Sequence, residues 1–236
     1  MSARVEHLVT SGTFSLDGQT FDVDNNVWIV GDDTECVVID APHDARAVAD
    51  AALGTTGARR VLAVVCTHAH DDHVRRAPEL AERLTAVQGR HVPILLHPAD
   101  QPVWELTHGR TAAGAADDGT GASSPGPSHA TTPLADGQVL QVAGTELHVL
   151  HTPGHSPGSV CLYAPELATV FTGDTLFAGG PGATGRSFSD FPTIVDSIRE
   201  RLLTLPPDTR VLTGHGGSTT IGDEAPHLQE WIDRGH

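Results

Sequence analysis

The chain has 236 residues, of which 39% are hydrophobic, and this is enough for one large domain or two small ones. Its formal net charge is −16 and it contains no lysine, so nucleic acids and anionic membranes are not expected as partners. The composition is unusual in its 15 histidines, which stand against one tyrosine and one methionine. This excess predicts a special use of histidine.

Cys36, Cys66 and Cys161 are odd in number and lie in separate apolar runs, as is typical of reduced thiols packed in a core. The opening segment MSARVEHLVTSG lacks the apolar run of a secretory signal, and no stretch reaches the ~18 apolar residues of a membrane span. These features predict a cytoplasmic protein without a membrane partner.

The N-terminal part of the chain alternates strands and helices. Residues 1–42 are expected to form strands, among them NVWIV and CVVID. Apolar spacing and capping residues then predict, in order, a helix over 45–53 begun by Asp44, a buried strand over 61–66, a helix that ends near Gly89, and a buried strand over 92–96. This order is a βαβ step.

The segment 107–133 contains no valine, isoleucine, leucine, methionine, phenylalanine, tyrosine or tryptophan, and this composition predicts a flexible insertion. A loop of this length is either a lid over a site or a linker between domains. We favour the lid, and hence a single domain of residues 1–236, because the motifs on both sides of the segment point to one chemistry.

The second half of the chain repeats the first in kind. It is expected to contain, in order, a hairpin of strands 139–142 and 147–150 joined at Gly144, strands over 159–164 and 168–173, a helix over 193–205, and a short strand at 211–212. Each half thus offers strands, a loop with metal-binding residue types, and a helix.

The motif THAHDDH, residues 67–73, directly follows the buried strand over 61–66. Two residues separated by one position in extended backbone point to the same side, so His68 and His70 can bind a single ion. Asp72 and His73 lie where the chain turns and are expected to face a second ion. Four ligand-type residues at this spacing are a specific signal for metal.

Three further ligand candidates lie beyond the insertion, each at a strand end beside glycine. They are His155 in HTPGHSPGS, Asp174 at the end of VFTGD, and His215 in TGHGG. Glycine lets the backbone come close to an ion, and loops at strand ends often carry binding residues.

In this order, and with Asp40 in VVIDAP before them, THAHDDH, TPGHSPGS, FTGDTLF and TGHGG resemble the metallo-β-lactamase-fold hydrolases, especially the glyoxalase II-like branch. The resemblance spans residues 5–236. It implies an αββα sandwich of the α/β (α+β) class, with two mixed sheets flanked by helices and a dinuclear site at the strand ends. It further implies one metal held by His68, His70 and His155, the other by Asp72, His73 and His215, with Asp174 bridging both and Asp40 supporting the ligands.

The resemblance also implies a mechanism. Two divalent ions about 3.5–4 Å apart lower the pKa of a shared water toward 7, and the bridging hydroxide attacks a carbonyl that one metal polarises. A thioester of a small-molecule thiol fits this chemistry best, and a lactone also fits. We expect two Zn²⁺ ions, with iron or manganese as alternatives, because His and Asp suit all three. Asp72 is in addition a candidate catalytic residue that orients the hydroxide or carries its proton.

Arg186, in the loop after Asp174, is a candidate contact for a substrate carboxylate or a support of the site. The remaining histidines and Cys66 are expected to be structural. The absence of lysine together with many alanines, glycines and arginines is typical of a GC-rich genome, where mycothiol can replace glutathione. An acyl- or formyl-mycothiol is therefore one candidate substrate.

The same residues also bear on the other functions of this fold. A β-lactamase is disfavoured because those enzymes do not normally place an aspartate where Asp174 stands, and an RNA nuclease because the net charge is −16. A non-catalytic zinc module is disfavoured, because a structural zinc site needs only four ligands and closes them off, whereas this chain offers seven. A persulfide dioxygenase with one iron is the main alternative, and metal analysis with oxygen uptake separates it from a hydrolase.

Overall fold

The structure, a computed structural model, describes residues 2–109 and 130–235. The strands are β1 Arg4–Leu16, β2 Gln19–Gly31, β3 Glu35–Ile39, β4 Arg60–Val65, β5 Ile94–Leu96, β6 Thr132–Pro133, β7 Val139–Val142, β8 Thr145–His151, β9 Val160–Ala164, β10 Thr169–Gly173, β11 Leu176–Phe177, β12 Gly180–Pro181, β13 Arg210–Thr213 and β14 Thr219–Thr220. The helices are α1 Ala45–Leu53, α2 Asp71–Val74, α3 Ala77–Gln88, α4 Gln101–His108, α5 Phe191–Ser197, α6 Ile221–Glu224 and α7 Leu228–Arg234.

Two six-stranded sheets lie face to face between layers of helices. The first has the order β1-β2-β3-β4-β5-β6 and the second β14-β13-β10-β9-β8-β7. Both are mixed, since β3 pairs parallel with β4 but antiparallel with β2, and β10 pairs parallel with β13 but antiparallel with β9. Side chains from both sheets, among them Trp28, Phe171 and Leu212, form one apolar cluster. This is the αββα sandwich that the sequence predicts.

The alternation of side chains along β3 explains why its residues after Glu35 are all apolar. Val37 and Ile39 belong to the cluster between the sheets, whereas Cys36 and Val38 pack in a second cluster with helices α1 and α3. Successive residues of a strand point to opposite faces, so a strand covered on both faces needs no polar position. The three cysteines are free and buried, as expected for core thiols.

Local signals placed several elements correctly. Helix α1 begins at Ala45 because the Asp44 side chain accepts the backbone N–H groups of Arg46 and Ala47. Helix α3 ends at Gln88, where Gly89 adopts the left-handed conformation that terminates helices. The strands predicted around these helices are present, with ends that differ by one or two residues.

Two expectations need correction. The helix predicted over 193–205 begins at Phe191, since Asp190 caps it, and its last turn, Ile198–Leu202, is π-helical. Residues 107 and 108 belong to α4, and Thr132–Pro133 pairs with β5, so both ends of the predicted insertion are ordered. Residues 110–129, and with them the predicted lid, lie outside the described residues. That residues 1–236 form one domain stays a prediction.

Strands β1 and β2 form a long hairpin of 13 residues each, joined by Asp17 and Gly18. Both turn residues have positive φ, as a tight two-residue hairpin turn requires. Within residues 2–109 and 130–235, no helix has both the length and the apolar character of a membrane span.

Candidate metal centre

The seven predicted ligands come from four segments, and each segment directly follows a strand. His68, His70, Asp72 and His73 follow β4 of the first sheet. The others follow strands of the second sheet, namely His155 after β8, Asp174 after β10 and His215 after β13. The site therefore lies at one edge of the sandwich and draws on both sheets.

The imidazoles of His68, His70 and His155 converge on one point. The Nδ1 atom of His70 lies 3.1 Å from Nε2 of His68 and 3.0 Å from Nε2 of His155. Donor atoms bound to one tetrahedral ion at 2.0–2.1 Å are about 3.3 Å apart. The three nitrogens thus have the spacing of ligands to a single ion, and we call them the first group.

Burial keeps two rings of the first group, His68 and His70, neutral. Burial lowers the pKa of His70 to about 3, and it lowers the pKa of His68 well below its usual value, with the neighbouring imidazoles adding to the effect. Neutral imidazole is the form that binds a metal ion. At neutral pH these rings need not lose protons before they bind.

Asp72, His73 and His215 form a second group beside the first. The Nε2 atom of His215 lies 3.2 Å from Nε2 of His73 and 3.2 Å from Oδ2 of Asp72. Asp72 and His73 project from the short helix α2, the structural form of the turn that the sequence predicts. The three side chains can hold a second ion.

The Asp174 carboxylate lies between the two groups. Its Oδ1 atom is 3.4 Å from Nε2 of His73, while Oδ2 is 3.4 Å from Nε2 of His215 and 3.7 Å from Nε2 of His155. Among the described residues, Oδ1 of Asp174 is buried without a hydrogen-bond partner. An orphaned buried carboxylate oxygen is costly, and a cation between the groups would satisfy it. The donor set therefore fits two metal ions.

The second group carries more charge than the first. Burial disfavours protonated His73, but the carboxylates of Asp174, Asp72 and Asp40 outweigh burial and raise its pKa well above the usual value. Burial likewise opposes protonation of His215, and the Asp174 and Asp72 carboxylates outweigh it, raising its pKa to about 10. The carboxylates around this group therefore favour positive charge on His73 and His215.

Hydrogen bonds behind the ligands determine which ring nitrogen faces the centre. The Nδ1 atoms of His155 and His215 each donate to a backbone carbonyl at 2.8 Å, on Ala183 and Asp24 respectively. A proton on Nδ1 leaves the Nε2 lone pair free for a metal ion. In His70 the roles are reversed, since its Nε2 is buried without a partner among the described residues and its Nδ1 faces the first group.

Asp40 lies directly behind His73, in the supporting position that the sequence comparison implies. Its Oδ2 accepts a hydrogen bond from Nδ1 of His73 at 2.9 Å, and its Oδ1 accepts the backbone N–H of Thr67 at 2.7 Å. The φ angle of Asp40 is 64°, in the left-handed region that non-glycine residues rarely adopt. The backbone is thus strained at a residue that orients a ligand.

Gly214 lets the turn before His215 approach the other ligands. A Cβ atom at this position would lie 2.1 Å from Oδ1 of Asp174 and 2.7 Å from Cε1 of His73. Only glycine fits there, which agrees with the expectation that glycine beside a ligand allows close approach.

Sequence reasoning missed Asp100 and Asn25. The Asp100 carboxylate accepts the backbone N–H of Ala69 at 2.8 Å, and Nδ2 of Asn25 donates to Oδ2 of Asp72 at 3.0 Å. Both are buried polar residues, Asp100 shortly after β5 and Asn25 at the start of the apolar part of β2. Their partners lie far along the chain, so no local signal in the sequence indicates them.

A cavity of about 420 Å³ opens onto the centre, and Arg186, the candidate substrate contact, lines it together with Phe14 and Phe21. The guanidinium carbon of Arg186 lies 4.9 Å from the ring centroid of Phe21 and 5.8 Å from that of Phe14. Its Nη1 donates to Gln19 Oε1 at 3.1 Å. The hairpin β1–β2 thus supplies a cavity wall that was not predicted.

The other histidines of the described ranges belong to no group of metal-binding side chains. His97 and His151, which both follow or end strands, stack on each other with ring centroids 4.0 Å apart. The prediction that they are structural agrees with this packing.

The sequence matches the Metallo-beta-lactamase superfamily over residues 20–215, and the chain therefore belongs to that superfamily. Among its relatives, the probable metallo-hydrolase YqgX of Bacillus subtilis is 35% identical over 170 residues, which are 71% of this chain and 75% of the relative. The hydroxyacylglutathione hydrolase GloC of Haemophilus influenzae is 43% identical over 89 residues, 38% of this chain and 42% of the relative.

Solved structures share the fold over nearly the whole chain. TTHA1623 in a di-iron-bound form is 36% identical with a TM-score of 0.66, covering 92% of this chain and 96% of its own. The B3 metallo-beta-lactamase BLEG-1 is 28% identical with a TM-score of 0.68, covering 93% and 98%. ETHE1 from Myxococcus xanthus, 23% identical with a TM-score of 0.64 and covering 93% and 83%, shares the fold. The superfamily and the cluster of histidine and aspartate side chains together indicate that this protein binds divalent metal ions.

Proposed function

We propose that this protein is a dinuclear metal hydrolase that cleaves a thioester of a small-molecule thiol. The position of Asp174 carries the proposal. Its two carboxylate oxygens lie within 3.4–3.7 Å of nitrogens from both histidine groups, as a ligand shared by two ions requires. A single iron held by two imidazoles and one carboxylate would also use Asp174, so the number of ions bound per chain decides between the two sites.

Two divalent ions held in this way would supply a hydroxide nucleophile at neutral pH and an electrophile for the substrate carbonyl. The side chains have separate tasks around that chemistry. His68, His70 and His155 would bind through ring nitrogens, whereas Asp72 and Asp174 would bring negative charge that offsets the cations. We also assign to Asp72, which lies on the cavity wall, the role of accepting a proton from the attacking water.

The cavity wall supports a substrate with an anionic part. Arg186 lies over the rings of Phe21 and Phe14, and Gln19 binds one of its N–H donors. The remaining donors can pair with a carboxylate, which Arg binds in a planar, bidentate manner. We assign the carboxylate to the acyl or thiol part of the thioester, and Phe14 and Phe21 to its apolar part.

Two relatives agree with parts of this proposal. GloC, of which 42% matches this chain, is named a hydroxyacylglutathione hydrolase, and TTHA1623 has a di-iron-bound form. Zinc is our first choice of metal, with iron and manganese as alternatives, since imidazole and carboxylate suit all three.

Metal analysis and a substrate panel test the proposal. Protein produced with zinc, iron or manganese supplied should bind two ions per chain, and Asp174→Asn should bind fewer. The panel contains glutathione, coenzyme A and mycothiol thioesters, a lactone and a β-lactam, with oxygen uptake measured on a persulfide. We expect thioester hydrolysis without oxygen uptake. One iron per chain with oxygen consumption, or turnover of the β-lactam alone, would overturn the proposal.

A further inference from the structure

Asn25 is fully buried, and its side-chain amide reaches into the second group. Its Nδ2 atom lies 3.0 Å from Oδ2 of Asp72 and 3.3 Å from Nε2 of both His73 and His215. The exposed fraction of Asn25 is 0%, so bulk water does not reach the side-chain amide. The Asp72 oxygen that Asn25 binds is the same oxygen that lies 3.2 Å from His215.

His43 binds the other end of the same amide. Its Nε2 atom lies 2.8 Å from Oδ1 of Asn25, and because a carbonyl oxygen only accepts, Nε2 of His43 carries the proton. Both ends of the amide are thus satisfied, and a 180° flip of Asn25 would break both hydrogen bonds. Strand β1 leaves space for the His43 ring only because residue 12 is glycine, where a Cβ would lie 2.3 Å from Nδ1 of His43.

We propose that Asn25 and His43 are positioning residues for the second metal ion, acting through Asp72. The amide N–H of Asn25 occupies one lone pair of Asp72 Oδ2 and directs the other toward the ion. His43 keeps the amide in the orientation that presents N–H to Asp72, whereas the reverse orientation would present a carbonyl oxygen to a carboxylate. The inference rests on the two-metal centre of the proposed function and not on its substrate.

The neighbouring residue supplies a matched control. Asn26 accepts a hydrogen bond of the same length, 2.8 Å, from Nε2 of His7. The amide of Asn26, however, donates to the backbone carbonyls of Thr213 and Gly216 and not to a proposed ligand. His7→Phe therefore removes a histidine–asparagine hydrogen bond of the same kind without affecting Asp72.

Zn²⁺ titration against a chromophoric chelator tests the proposal, because it measures the affinity of each site without any substrate. Loss of a side chain that hydrogen-bonds to a metal ligand weakens metal binding about 10–100-fold. We expect Asn25→Leu, which keeps the volume, to weaken one of two sites by that factor. His43→Phe should act in the same direction, His43→Gln, whose amide can donate, should restore binding, and His7→Phe should bind as the wild type.

His215→Ala identifies the affected site, since it removes the second group. In that background Asn25→Leu should leave the remaining site unchanged, and thermal melting of the metal-free variants shows that they are folded. Wild-type affinity of Asn25→Leu, equal weakening of both sites, or equal behaviour of His43→Phe and His43→Gln would overturn the proposal. Where Asn25→Leu does not fold, the two His43 variants decide.

This titration separates the two proposals. If the wild-type protein binds two Zn²⁺ ions but hydrolyses no thioester, the proposed substrate is wrong. The role of Asn25 and His43 is then still decided by the Zn²⁺ titration of the variants. Wild-type protein that binds one ion overturns both.

Discussion

The carboxylate of Asp100 accepts the hydroxyl of Ser156 at 2.8 Å, directly beside His155. The same oxygen accepts the backbone N–H of Ala69, between His68 and His70, and the other oxygen accepts the N–H of Gly158. One buried side chain therefore connects both loops of the first group. Burial raises the pKa of Asp100, opposed by its hydrogen bonds to Ser156, Gly158 and Ala69.

Replacing Asp100 by asparagine should weaken the first group and the fold together. An amide has one acceptor oxygen for three donors, so at least one buried donor loses its partner at a cost of about 1–3 kcal/mol. We expect urea unfolding to show this loss and Zn²⁺ titration to show weaker binding at one site. Asp190→Asn is the control, because asparagine caps a helix as well as aspartate does. Wild-type stability and metal binding in Asp100→Asn would contradict this role.

Gly214→Ala should disrupt the centre while Gly217→Ala, in the same turn, should not. The added Cβ at Gly214 would lie 2.1 Å from Oδ1 of Asp174, but a Cβ at Gly217 meets nothing within 4 Å. We expect Gly214→Ala to lose metal ions, measured by elemental analysis after dialysis, and to lose activity with them. Equal metal content in the two variants would contradict this prediction, because it would show that the turn before His215 can shift to accommodate the added Cβ atom.

The two metal sites should respond differently to pH. The pKa of His70 is lowered to about 3, so protons do not compete with metal at this ring above about pH 4. The raised pKa of His215, about 10 in the metal-free protein, means that metal must displace a proton there, and affinity should rise with pH toward that value.

Zn²⁺ titrations between pH 6 and 9 check this difference, with calorimetry in buffers of different ionisation enthalpy to count released protons. We expect one affinity that changes little and one that increases with pH. His215→Ala should release fewer protons than the wild type. Two sites with the same pH dependence would contradict the charge difference between the groups.

Arg186→Gln should raise KM for thioesters that carry a carboxylate. Loss of a charged hydrogen bond costs about 1.5–3 kcal/mol, or roughly 10–100-fold. We expect kcat and the KM of uncharged thioesters to stay unchanged, because Arg186 lies on the cavity wall and not among the ligands. Arg199→Gln, which removes an exposed arginine paired with Asp196, is the control. An equal change in KM for charged and uncharged thioesters would show that Arg186 does not bind a substrate carboxylate.

The sequence could predict the proposed ligands because each lies in a short motif with a local meaning. Histidines two positions apart after a strand, or a histidine between glycines, indicate metal chemistry without knowledge of the rest of the chain. The same holds for α1, whose capping residue and glycine stop are adjacent to the helix. Local signals also account for the order of strands and helices in both halves.

The supporting residues could not be predicted in that way, because their role depends on partners far along the chain. Asn25 and Asp72 are 47 positions apart, and Asp100 and Ser156 are 56 apart. Phe14 and Phe21 pair across the turn of the β1–β2 hairpin, yet nothing nearby indicates that this hairpin borders a site. Such contacts appear only when the two sheets are packed against each other.

The two groups of proposed ligands each draw on both sheets, and the last ligand of the chain is His215. A ribosome-bound chain that has emerged only through THAHDDH holds no complete group, because the first group waits for His155 and the second for His215. We therefore expect metal binding to come late in the biogenesis of the protein. Its rate should follow the packing of the two sheets against each other, so that bound metal would mark the folded state.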